Sequence, residues 1–396
     1  MFLLPALLIT GAQTPSPTAS VPIHLAETAI IVDAQINNRP VSLMFDTGFS
    51  ATVQVSENVN IGKPTGTMGI RDFVGTFEAK TVKVTSLKLG TKDIDTKDLD
   101  DAILGRDDMT SSFGVHCDGI MGFGVIKHQI TGINFEKSRF DFYPDSVDIS
   151  KWVPDNKKTF LLKLLPTGNS SMEMLVETPS GEQMTLALDT GNSFYATTHR
   201  DVLERVGLWK PNDKPKYMKQ SFVASGAVDS WSIKLDNMKI FGVTVPTSVW
   251  DIIDLPSSSA EGDGTVGFGF LKNFNIIIDY SRRRVWLENW TGKTSSEDEG
   301  ETGIIAAPDR AGDVRVVAVA PESPADKAGI KRGDKLLSMD GSDLDNHYTY
   351  RKLRQMLSGP VGSKVKLAVS SGGSVKRLEL ERSGMWNVPA TAGTGE

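Results

Sequence analysis

Residues 41–48 read VSLMFDTG and residues 184–191 read MTLALDTG, and that recurrence decides the fold. Asp46 and Asp189 stand 143 positions apart, each closing an apolar run. A second block follows each of them: residues 118–142, DGIMGFGVIKHQITGINFEKSRFDF, align without a gap to residues 263–287, DGTVGFGFLKNFNIIIDYSRRRVWL, at an offset of 145 with 8 of 25 positions identical. Two blocks recurring in one order at nearly one offset imply a duplicated unit. The chain up to about residue 290 therefore divides into two lobes, residues 21–150 and 151–290.

Working outward, each lobe is built of short runs rich in Val, Ile, Thr and aromatics, punctuated by Gly, Asn and Pro, which is the pattern of strands. Residues 28–36 and 41–45, separated by NNRP, predict a hairpin that delivers Asp46 at its end; residues 172–178 and 184–188, around PSG, do the same for Asp189. NIIIDY and RRVWLE predict another strand pair about a charged turn, and residues 201–206 and those after Gly124 predict short helices. Residues 291–302, TGKTSSEDEGET, have almost no apolar content and cannot fold alone, so they read as an acidic linker. Residues 303–383 form a further module, with strands at 314–319, 335–339, 364–369 and 375–381 and a helix near 350–357, and residues 384–396 are a tail.

Composition narrows the function. At roughly 150 residues per domain, 396 residues predict two to three domains. The 43 Lys and Arg against 49 Asp and Glu leave a net charge of −6, so no basic field exists to collect nucleic acid. The single cysteine, Cys117, offers neither an internal disulfide nor a Cys-based zinc site, and the five histidines are scattered; no metal and no cofactor are expected.

The paired Asp-Thr-Gly triplets resemble those of the bilobal aspartic proteases, pepsin-like and retropepsin-like. The later Ile120-Met121-Gly122 and Thr265-Val266-Gly267 resemble the hydrophobic-hydrophobic-Gly element that the family sets against each active-site loop. The resemblance implies a mainly β fold of two acid-protease-like β-barrel lobes. It implies that Asp46 and Asp189 are catalytic, sharing one proton and activating water on a peptide carbonyl, because two carboxyls in contact cannot both ionise. Thr47 and Thr190 would bond across the lobe interface, Gly48 and Gly191 would permit close approach, and Gly122 and Gly267 would support the loops. The following position is usually Ser, Thr or Ala; here Phe49 and Asn192 occupy it, so Asn192 can still bond its carboxylate, and Ser50 is expected to compensate in part for Phe49. The family's flap is expected within GTMGIRDFVGTFEAK, residues 66–80, with Gly69, Phe73 and Gly75 as its functional positions.

PESPADKAGIKRGDKLLSMDG, residues 321–341, resembles the bacterial type of PDZ domain, a small α+β fold. That resemblance implies capture of C-terminal peptides by strand addition, with Gly303, Ile304, Ile305 and Ala306 holding the terminal carboxylate. At the other end, residues 2–9, FLLPALLI, resemble a secretory signal within residues 1–20, although without a basic n-region; they are too short to span a bilayer, and export to a periplasm or medium is expected. The expected protein is thus a monomeric aspartic endopeptidase that acts on polypeptides, with a PDZ module that recruits or regulates them. The alternative is an inactive double lobe that binds peptides as a scaffold, a reading favoured by Phe49; a dimer that pairs lobes between chains is the third.

Overall fold

A computed structural model of the chain describes residues 15–26, 28–71, 76–105, 115–166, 171–223, 226–254, 262–296 and 298–389. The first hairpin joins strands Ala29–Ile36 and Arg39–Asp46 through Asn37 and Asn38, both at positive φ (49° and 64°). Short polar side chains tolerate that region, and a two-residue turn of this hand matches the twist of its strands. The turn is two residues shorter than NNRP suggested, because Arg39 and Pro40 already pair with Ile36 and Gln35. The first strand is apolar nearly throughout because both its faces are covered. Ile30, Val32, Ala34 and Ile36 enter the main core, while Ile31 meets Met44 and Cys117 on the other side.

The duplication is visible in the pairing. Strand Gly119–Gly122 lies parallel to Arg39–Asp46, so that Gly122 faces Asp46, and Gly264–Val266 lies parallel to Gln183–Leu188, so that Val266 faces Leu188. One copy belongs to a ten-stranded sheet and the other to a seven-stranded sheet. The closing strands of the two repeats meet in a shared six-stranded sheet, where Ile130–Asn134 pairs antiparallel with Phe274–Asp279 and Gly132 faces Ile277. A single apolar cluster runs through both halves, from Val21 to Leu287. Helix is scarce among the described residues of the lobes, as expected: Arg200–Arg205, Phe268–Leu271 and single turns at Phe123–Val125 and Ile149–Lys151.

Beyond residue 303 a separate sheet carries its own core, with Val314, Leu336, Leu353 and Val365 at its centre. Ser323 caps the short helix Pro324–Lys327 by accepting from the Asp326 amide, and Gly329 ends it at φ 75°. The predicted helix is Tyr350–Leu357. Arg382 is buried at its end, donating to the carbonyls of Met356, Leu357 and Lys364.

The acidic segment does not fold alone; it is tied to both sides. The Ser296 amide donates to Thr247 O at 3.1 Å, Glu299–Gly300 pairs with Gly359–Pro360, and Thr302 is buried. The tail is not free either, since Asn387 bridges to Ile233 and receives the Lys216 and Lys234 amides. Residues 1–14, with the signal reading, lie outside the described residues, and among the described residues no helix is long and apolar enough to cross a membrane. Replacing Arg382 with Leu removes the donors to three carbonyls, that of Leu357 buried and those of Met356 and Lys364 part-buried, and is expected to lower the stability of the C-terminal module by about 2 kcal/mol. Calorimetry of the full chain would register an earlier transition, and an unchanged profile would contradict this role.

Candidate functional site at the seam of the two lobes

The two Asp-Thr-Gly loops meet, and their amides and hydroxyls exchange partners across the seam. The Thr47 hydroxyl donates to Leu188 O at 2.7 Å and accepts from the Thr190 amide at 2.9 Å. In the mirrored pair, the Thr190 hydroxyl donates to Phe45 O at 2.9 Å and accepts from the Thr47 amide at 3.1 Å. Both threonines are buried. Within each loop the carboxylate accepts two amides: Gly48 and Phe49 on Asp46 (2.8 and 3.2 Å), Gly191 and Asn192 on Asp189 (2.9 and 3.1 Å).

The glycines are required by space. A Cβ on Gly48 would stand 2.8 Å from Asp189 Cγ, and one on Gly191 would collide with the Asp46 carboxyl. Gly122 and Gly267 likewise have no room for a side chain, the first against Phe49 O and Ala51 O, the second against Asn192 O and Phe194 O.

The two side chains are hydrogen-bonded to one another and share one electrostatic fate. Burial, the charge of Asp189 and that hydrogen bond hold the Asp46 carboxyl well above the usual carboxylate range, against the Gly48 and Phe49 amides. Burial raises Asp189 as well, offset in part by hydrogen bonds from Asp46, from the Asn192 and Gly191 amides and from the Thr265 hydroxyl.

Asn192 departs from expectation. Its amide nitrogen Nδ2 donates to Thr197 and Thr265 hydroxyls at 2.9 and 2.7 Å, while its Oδ1 accepts from the Phe194 amide. It therefore supports Asp189 through its main chain and through Thr265, a residue whose unusual polarity in the hydrophobic-hydrophobic-Gly element was the available signal. Ser50 is exposed, and the hydrogen bonds that position Asp46 come from backbone amides and Asp189. Gly69 lies in the hairpin Gly66–Arg71/Thr76–Val82, opposite Glu78; Phe73 and Gly75 fall outside the described residues.

Gly303, Ile304, Ile305 and Ala306 of the C-terminal module line one cavity, with Ile304–Ala306 already inside strand Ile304–Pro308. The far wall of this cavity is the second lobe, which contributes Phe194, Lys219 and Ser221; Tyr350 and Arg354 come from the module's helix and Glu301 from the acidic segment. The Arg354 guanidinium lies 4.5 Å from the centre of the Phe194 ring. The same helix reaches the first lobe, where Arg351 donates to the Thr28 hydroxyl. Motif reading missed Phe194, Lys219 and Arg354, because nothing local marks a residue that acts across a domain boundary.

The comparisons with known proteins sort the chain into parts. Residues 315–382 match the family model for the PDZ domain. A relative in Arabidopsis thaliana, carboxyl-terminal-processing peptidase 2, chloroplastic, is 40% identical over 67 residues, which is 17% of this chain and 13% of that protein. Among solved structures, the photosystem II D1 C-terminal processing protease matches over 22% of this chain and 24% of its own, at 26% identity and TM-score 0.21. The aspartic proteinase from Irpex lacteus matches over 70% of this chain and 98% of its own, at 16% identity and TM-score 0.42.

This corrects the function expected from the sequence. The named activity that accompanies sequence similarity is that of the carboxyl-terminal-processing peptidase, matched over 17% of this chain, and the aspartic endopeptidase with a water-activating dyad is set aside. The adjoining carboxyls remain as geometry. Physically, two such groups in contact establish a retained proton, and a retained proton is not by itself a reaction.

That proton has a consequence for stability. A carboxyl raised in the native state contributes stability below the unfolded-state value and loses it as pH rises through the native value. Asp46→Asn removes the ionisable partner, so its melting temperature relative to wild type should climb between acid and neutral pH and the difference should vanish in acid. A variant that falls steadily below wild type over that range would contradict the raised carboxyl.

Proposed function

We propose that the chain is a peptidase, a hydrolase of polypeptides, that engages its substrates by their carboxyl ends through the PDZ module. The observation that carries the reading is the shared cavity. The PDZ carboxylate-binding segment opens onto Phe194, which belongs to the same loop as Asp189 and is bonded to Asn192 through its amide. A chain end held at the module is therefore held beside that loop, which raises the local concentration of substrate there. The match to a carboxyl-terminal-processing peptidase supports the same class of activity.

The domain boundaries proposed are those of the sequence reading: lobes at 21–150 and 151–290 with an acid-protease-like arrangement, a segment at 291–302 and the module at 303–383. Asp46 and Asp189, with Thr47, Gly48, Thr190, Gly191, Asn192, Gly122 and Gly267 as their framework, are proposed as the fixed seam beside which the bound chain end is held. The apolar run at residues 2–9 supports an exported location.

The test is hydrolysis of an unfolded polypeptide by the purified full chain. The expected result is cleavage that falls about tenfold or more when the substrate's C-terminus is amidated. Cleavage indifferent to the substrate's C-terminus would remove the PDZ module from the reading, and no cleavage of any polypeptide would overturn the peptidase assignment.

A further inference from the structure

Lys219 sits in the wall that the second lobe gives to the PDZ cavity, on strand Lys219–Val223, which lies against the PDZ strand Val314–Val319. Its ammonium faces two carboxylates. Asp251 Oδ1 is 3.4 Å away and Glu301 Oε1 is 3.6 Å away. The two are not equivalent. Asp251 is buried at 2% exposure, and its other oxygen accepts from the Ser221 hydroxyl at 2.9 Å, so it is fixed within the lobe. Glu301 comes from the acidic segment, keeps 30% of its side chain exposed, and lines the same cavity as Gly303–Ala306. One cation thus serves one permanent and one exchangeable carboxylate, beside a groove built for a chain end.

We propose that Lys219 is the counter-charge for the terminal carboxylate of a polypeptide bound in the PDZ groove, and that Glu301 occupies it until that ligand arrives. This rests on the peptide-binding half of the proposed function and adds to it a residue from outside the module. Both cations of the cavity lie over the Phe194 ring, Arg354 at 4.5 Å and Lys219 at 5.7 Å from its centre, and Lys219 is the one that meets the partly exposed Glu301 carboxylate. The proposal explains why the acidic segment is tied to the module by Glu299–Gly300 and by the Glu301–Ser383 bridge: these bonds hold Glu301 at the cavity mouth. Swapping one carboxylate for another keeps the buried charge of the cluster constant, so binding proceeds without stranding an ion in a dry site.

The experiment is fluorescence anisotropy of the full chain with short labelled peptides ending in Ala, Val, Leu or Phe, each as free acid and as C-terminal amide. Wild type should prefer the acid by about tenfold or more, the usual worth of a charged hydrogen-bonded group. Glu301→Gln, an exposed change, should bind the acid about threefold tighter or better and leave the amide unchanged, since amide binding need not evict Glu301. Lys219→Met should lose the preference for acid, and Lys219→Arg should keep it. Because Lys219→Met uncovers Asp251, the double variant with Asp251→Asn supplies the same measurement in a neutral site. An acid preference undiminished in the folded double variant, or no gain in Glu301→Gln, overturns the assignment. No saturable binding of any acid peptide to wild type overturns it together with the PDZ reading, while the hydrolysis assay stands apart from both.

Discussion

Two buried threonine hydroxyls hold the lobes in register, and the rest of the structure depends on them. Each hydroxyl donates to a carbonyl of the opposite lobe and accepts that lobe's threonine amide, so four main-chain groups in a dry seam find partners that only the other half supplies. A buried polar group left without a partner costs about 1–3 kcal/mol, and sliding one lobe along the other would strand all four. The seam is therefore a single geometry rather than a range. The close approach of the carboxyls follows from it, and so does the bar on any side chain at Gly48 and Gly191. The shared sheet fixes the same relation a second time, because Ile130–Asn134 and Phe274–Asp279 can pair only if the repeats keep their places.

How much of this was legible in the sequence varies with how local the cause is. The hairpins ending at Asp46 and Asp189, the strands of the C-terminal module and its Tyr350–Leu357 helix were readable because apolar periodicity and turn residues act over a few positions. The duplication was readable because the same constraint was written twice. Acidity and low apolar content read residues 291–302 as a linker, yet could not say that neighbours would hold them: the tethers at Thr247, Gly359, Pro360 and Ser383 lie up to 82 positions away, as from Glu301 to Ser383. The same holds for Asn387 on Ile233. The mechanism was over-read, because triplets specify a loop and a contact, whereas the similarity that carries a named activity attaches to a peptidase that this chain matches over 67 residues at 40% identity.

The acidic segment acquires a role from this arrangement that composition alone would not give it. A neutral, flexible connector would join lobe and module equally well. This one places Glu301 beside Lys219, and it supplies Asp298, whose carboxylate meets Lys234 at 2.6 Å on the strand that also receives the tail. The Lys219 ammonium loses solvation by burial, and the carboxylates of Glu301 and Asp251 more than offset that loss, so it is held above its ordinary range against the repulsion of Arg354. Charge in the segment is thus matched to cations at the lobe–module junction, and module and lobes are joined by pairing rather than by length.

The repeats are symmetric in their main chain and asymmetric where side chains meet the carboxyls. Asn192 of the second loop corresponds to Phe49 in the first, and Thr265 of the second Gly element corresponds to Ile120. The pair changes together: Asn192 donates to Thr265, whose hydroxyl in turn supports Asp189, whereas the corresponding Phe49 and Ile120 carry no side-chain donor, and Ile120 packs beside Met44 and Cys117. The two halves of a duplicated fold thus differ at two corresponding positions, Asn192 against Phe49 and Thr265 against Ile120, and the polar pair of the second half gives Asp189 a side-chain donor in addition to its amides.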